Sequence, residues 1–171
     1  VTQDVLYTSR WNDLTRQPVR GHSWLTEDEA RRRYEASEGV EIVDAVLRDP
    51  DGTPRPRWVM GSYGRVRVQF FTPAGSVWRE VDYDLIDGRL WRWVTVDCTY
   101  TDDEQHDQVD AVLSVEVSSR PDGTGTVSID DRVTGQRSVS QLTDVPTGDG
   151  WLDVPAFGEW APLLDHGSGA S

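Results

Sequence analysis

The chain has 171 residues, 30 acidic against 17 basic side chains, and a formal net charge of −13. That balance disfavours nucleic acid and anionic membrane surfaces, which both require a basic face; it suits a basic partner. Eight tryptophans argue against disorder, a single cysteine (Cys98) excludes an internal disulfide, and the length is that of one domain able to bury a core without metal.

Residues 1–25 form a mixed stretch with Trp11 and Trp24 as anchors. Its start, VTQDVLYTSRWNDL, has neither the basic beginning nor the apolar centre of a signal peptide. No segment reaches the apolar length of a membrane span. With one cysteine, the expectation is a cytoplasmic protein. Thr26 and Glu29 have the spacing of a capping box, so a helix is predicted over about 26–37, ending at Ser37-Glu38-Gly39. Glu27 with Arg31, Asp28 with Arg32 and Glu29 with Arg33 are i,i+4 pairs, which makes the arginine triplet a self-paired, solvated face.

Residues 40–48 read as a strand ended by Asp49-Pro50-Asp51-Gly52. Residues 57–71 carry Gly61 and Gly64, and a break or bulge is expected there. Val66, Val68 and Phe70 alternate with Arg65, Arg67 and Gln69. Thr72-Pro73-Ala74-Gly75 then turns the chain into its most informative stretch, residues 77–100. Asp87-Gly88 between two alternating runs is a strong hairpin signal, because both central residues of a type I′ turn need positive φ. Pairing outward sets Ile86 opposite Arg89, Leu85 opposite Leu90, Val81 opposite Val94 and Val77 opposite Cys98. One face is then apolar and core-facing. The other sets Asp84 against Trp91 and Asp82 against Trp93, with Trp78, Glu80 and Asp97 beside them.

An acidic run, TDDEQHDQVD, follows. Further strands are read at AVLSVEV, TGTVSID and QRSVSQL, with a short last one at Trp151–Val154. Residues 165–171 read as a flexible tail. The fold expected over residues 1–164 is one mainly β domain: a curved antiparallel sheet or partly closed barrel of seven or eight strands with one N-terminal helix. A β-sandwich is the alternative.

Chemistry is sparse. His22, His106 and His166 are far apart, and no HxH, HExxH or CxxC pattern occurs, so no zinc site is expected. The acidic run lacks the spacing of a calcium loop and reads as solvated. No nucleophile elbow or phosphate loop is present. Cys98 reads as a small core residue. Neither a catalytic set nor a cofactor is assigned.

The exclusive use of arginine and the Val1 start fit a GC-rich genome. VRGHSWLTEDEARRRYE, RWVMGSYGRVRVQFFTPAGSV and VDYDLIDGRLWRWVTVD together resemble small acidic, uncharacterised proteins of actinomycetes. In general character the chain is also similar to immunity proteins of bacterial polymorphic toxin systems. That resemblance implies a small cytoplasmic protein that binds a toxin and carries no catalytic motif. The leading expectation is therefore a non-enzymatic protein that occludes a basic partner, such as a toxin, through Trp78, Glu80, Asp82, Asp84, Trp91, Trp93 and Asp97. One alternative is a small-molecule-binding barrel, or a cofactor-free enzyme of secondary metabolism, with Arg79, Tyr83 and Arg92 lining its interior. The other is a hydrolase using paired carboxylates among Glu80, Asp82, Asp84 and Asp97, which arginine pairing would void.

Overall fold

Strand periodicity dominates residues 4–165, the part described by a computed structural model. The stretch ahead of the helix, expected to be mixed, holds four short strands: β1 (Val5–Thr8), β2 (Trp11–Asn12), β3 (Gln17–Pro18) and β4 (Trp24–Leu25). Helix α1 (Glu27–Glu35) starts as predicted. Thr26 accepts from the Glu29 amide at 3.3 Å, and the Glu29 carboxylate accepts from the Thr26 amide at 3.0 Å. Its arginines divide their partners. Arg31 pairs with Glu27 and lies over the Phe157 ring, Arg32 reaches Glu38, and Arg33 reaches the Gly39 carbonyl.

The strands that follow are β5 (Val40–Asp44), β6 (Trp58–Ser62), β7 (Val66–Phe71), β8 (Val77–Ile86), β9 (Arg89–Thr99), β10 (Leu113–Ser119), β11 (Gly125–Asp131), β12 (Gln136–Leu142) and β13 (Trp151–Asp153). Helix α2 (Ala161–Leu164) is a second, short helix that the sequence reading lacks. One antiparallel sheet runs in the order β12-β11-β10-β9-β8-β7-β6-β5-β1-β4, and β13 pairs with the free end of β9. From β5 to β12 the order in space is the order in the chain. The sheet stays open, so it is not a partly closed barrel. The remaining sheet is only the β2–β3 pair, so it is not a sandwich either. From residue 166 onward, including His166, the expected tail lies outside the described residues.

Both faces of the sheet are covered near its middle. On one, Val40, Ile42, Met60, Val68, Val81 and Tyr83 pack against Ala30 of α1 and against Trp160 and Leu163. Tyr34 closes this layer: its hydroxyl donates to the Pro155 carbonyl at 2.9 Å, and its ring meets Phe157 and Trp160 edge-on. On the opposite face, Val43, Val59, Phe71 and Val77 pack under Trp11 of β2. The wing made by β10, β11 and β12 is far more open, and β12 is exposed along all but its last residue.

The β8–β9 hairpin turns at Asp87-Gly88 as predicted, with φ of 50° and 79°. Ile86, Leu85 and Asp84 face Arg89, Leu90 and Trp91 as expected. Beyond that a bulge at Trp93 shifts the register by one residue. Asp82 faces Val94, Val81 faces Thr95, and Arg79 faces Asp97. A one-residue slip exchanges the faces of every later side chain. Val94 and Cys98 therefore lie on the face of Glu80 and Asp82, and Asp97 leaves it. The glycine-containing stretch is broken as expected: the break is the hairpin turn around Gly64, while Gly61 sits inside an uninterrupted β6.

Candidate functional site

The seven residues expected to form one acidic, aromatic surface do not share one. Glu80 and Asp82 are 8% and 5% exposed and are held by Arg67, whose guanidinium meets Asp82 through two bonds of 2.8 and 3.1 Å and Glu80 at 3.5 Å. Gln69 adds a bond to Glu80 at 3.0 Å. Trp91 is 2% exposed; it donates to the Ser119 carbonyl at 2.8 Å and packs on Trp151. It is an internal clamp for β9, β10 and β13. Trp78 packs with Phe70 on the helix-covered face and supports Arg79, which binds Asp97 in a fork at 2.5 and 3.0 Å. Asp84 and Trp93 remain half-buried near the bulge. The other expected set, Arg79, Tyr83 and Arg92, has no barrel interior to line. Tyr83 is fully buried in the core layer, with Arg92 opposite it across the hairpin.

A different constellation forms on the sheet face under β2. Cross-strand pairing sets Glu41, Gly61, Arg67 and Asp82 in one row across β5 to β8. Because Gly61 brings no side chain to the middle of that row, Glu41 and Arg67 stand two strand spacings apart, about 10 Å, with space between them. That space is a cleft of about 440 Å3, lined among others by Trp11, Asp13, Glu41, Tyr63 and Gln69 and by three arginines, Arg10, Arg65 and Arg67. Its roof is the segment Trp11–Asp13. The Trp11 amide donates to Glu41, while the Trp11 indole nitrogen and Asp13 Oδ1 are buried with no hydrogen bond of good geometry. The acidic run braces this roof, since Gln105 donates to the Asp13 and Leu14 carbonyls at 3.4 Å. His106, stacked on Tyr100 and bound to Asp102 at 2.7 Å, anchors the same loop.

Electrostatics give the cleft its character. Burial pushes the Asp13 carboxyl from an ordinary 3.8 up to about 6; the charge of Glu41 adds to the rise, Trp11 and Gln69 oppose it, and Asp107 contributes least. Burial also raises Glu41, opposed by Tyr63, the Trp11 amide and the more distant Arg10 and Arg67. Glu80 is raised by burial against the pull of Arg67. The Tyr63 hydroxyl, which donates to the Ser9 carbonyl at 3.2 Å, is raised by burial and by Glu41. Asp13 and Glu41 form no ion pair with any described residue. They hold their protons unusually well, and a cation placed between them would reverse that.

Two glycines seat the aromatic side of the cleft. A Cβ at Gly39 would stand 2.7 Å from the Tyr63 ring, and one at Gly61 would stand 3.0 Å from it. Gly39 also has a φ of 84°, a conformation costly for other residues. Gly39→Ala is expected to lower the unfolding free energy by about 2 kcal/mol, combining backbone strain and displacement of the ring. Urea denaturation reads this directly; an unchanged midpoint would contradict the seat.

Among the described residues no group of three or more His, Cys, Asp or Glu side chains could hold a metal ion. Cys98 is buried and its thiol is pushed up by that burial, which makes it a poor nucleophile. No helix among the described residues is long and apolar enough to cross a membrane. No protein-family model, curated protein or solved structure matches the chain.

Proposed function

We propose that the protein is a non-enzymatic binding protein for a basic protein partner, and that the Asp13–Glu41 cleft receives a cationic side chain of that partner. The supporting observation is the pair of half-buried carboxyls, raised in proton affinity and in no ion pair with a described residue, around an open cavity floored by Gly61 whose wall also carries Arg10, Arg65 and Arg67. A guanidinium offers donors to both carboxylates and a flat face to Trp11 and Tyr63. The net charge of −13 would steer such a partner towards the protein. Occlusion of a basic cleft on a toxin, in the manner of an immunity protein, is the form of this function we favour.

The test is a nuclear magnetic resonance titration of the Trp11 indole N–H with an arginine-containing basic peptide near pH 6. Saturable shifts with proton release are expected for the wild type, and their loss in the Asp13→Asn, Glu41→Gln double variant. Equal binding by both proteins would reject the assignment.

One observation favours a second reading. An Asp13 carboxyl poised at about 6 has the proton affinity of a general acid–base group. A hydrolase would then use Asp13 and Glu41 in place of the expected set, in which Arg67 neutralises Glu80 and Asp82 and Arg79 neutralises Asp97.

A further inference from the structure

The two ends of the large sheet are built differently. At one end the last strand, β4, pairs over only two residues and leads straight into α1. At the other, β12 pairs with β11 over seven residues without a register shift, and no described residue pairs with its outer side. Open edges of this kind are usually blunted by proline, charged side chains, a bulge or brevity. The sequence of β12, Gln-Arg-Ser-Val-Ser-Gln-Leu, has one charge, Arg137, and no proline or bulge over its seven residues.

We propose that β12 is a self-association edge, and that two copies of the chain join by antiparallel β12–β12 pairing about a two-fold axis at Val139. The strand itself selects this occupant. Val139 is the midpoint of residues 136–142 and is 60% exposed, although it is the only aliphatic residue inside the strand. A two-fold at Val139 is the residue-centred register that overlaps the whole strand. It sets Val139 against its own copy, Ser138 against Ser140, Arg137 against Gln141 and Gln136 against Leu142. The one charged residue therefore meets a neutral acceptor, and no like charges stand opposite one another. Neighbouring registers shorten the overlap and set Val139 against Arg137 or Gln141.

Closure follows from the other edge. Because β4 offers only two residues, the pairing cannot repeat head to tail, and the product is an isologous dimer with a continuous sheet rather than a filament. The association uses only backbone groups and a narrow strip of side chains, so it is concentration-dependent. It does not depend on the cleft, which lies on β5 to β8.

Sedimentation velocity over a concentration series, with circular dichroism to verify folding, tests the proposal. The wild type is expected to shift from monomer to dimer. Val139→Lys and Val139→Asp, each placing like charges opposite one another, are expected to weaken the dimer by about tenfold or more. An equimolar mixture of the two variants is expected to restore it. The proposal is overturned if the wild type stays monomeric up to concentrations on the order of 1 mM, above which association is too weak to count as specific. Either single variant associating as tightly as the wild type would overturn it equally.

Discussion

Arg67→Met is expected to destabilise the protein by about 3 kcal/mol at neutral pH, through the carboxylates it abandons. Asp82 and Glu80 are 5% and 8% exposed, and Arg67 is the cation bound to both. Methionine keeps much of the apolar stem, so the loss reports charge rather than volume. The Arg67 side chain is 44% exposed, and its screening by solvent places the effect at the lower end of what breaking a buried pair costs. Replacing Arg67, Glu80 and Asp82 together by methionine and two leucines is expected to be close to neutral, because no uncompensated charge remains. Near pH 5 the penalty of the single variant should shrink, since Glu80, already raised by burial, can take up a proton. Urea unfolding of the wild type and both variants at pH 7.5 and pH 5 measures this; a penalty equal at both pH values would assign the loss to packing.

Asp13→Asn is expected to act in the opposite direction, stabilising the protein by about 2 kcal/mol at pH 7.5 and by nothing at pH 4. The Asp13 carboxyl titrates at about 6 in the folded chain, against an ordinary value of 3.8. Its favourable contribution is complete below the lower value and is lost as pH rises through the upper one. Above that, the ionised group costs about 3 kcal/mol at most, reduced to about 2 by partial contact with solvent. Asparagine cannot ionise, so the variant escapes the cost while keeping a carbonyl for Trp11 and Gln69. The same change removes a carboxylate from the cleft. A variant that is more stable and binds cations less well is what a site maintained for binding would produce. Thermal melts across pH 4–8 would show a stability gain that grows through pH 6; a gain independent of pH would exclude ionisation as its source.

The contrast between these residues and those the sequence suggested has a physical origin. Strand identity was legible because period-two alternation and turn residues are local signals, as at β12 and the Asp87-Gly88 turn. The helix start at Thr26 was legible for the same reason. The bulge at Trp93 was not. Nothing within the hairpin marks it, yet it exchanges the faces of Asp97, Cys98 and Val94. The cleft was hidden for a stronger reason. Glu41, Gly61 and Arg67 lie on three strands and become neighbours only through pairing, while Asp13 arrives from a turn more than twenty residues away from Glu41. The one available clue was Gly61 inside an otherwise good strand. A glycine there signals a break, a bulge or a space left open, and the sequence does not say which.

The chain-order run of strands from β5 to β12 has a kinetic consequence. Each strand there pairs with its immediate predecessor, and except between β5 and β6 and between β9 and β10 the connection is short, so most steps close only a small loop and lose little entropy. Hairpins of this kind can zip outward from the Asp87-Gly88 turn without waiting for distant segments. The contacts that seal the helix-covered face are of another order: the Tyr34 hydroxyl and the Pro155 carbonyl are 121 residues apart in the chain. Docking of the segment carrying Phe157, Trp160 and Leu163 therefore comes late. Until it docks, the row of Ile42, Met60, Val68 and Val81 is covered by α1 alone, and the nascent sheet is at its most aggregation-prone.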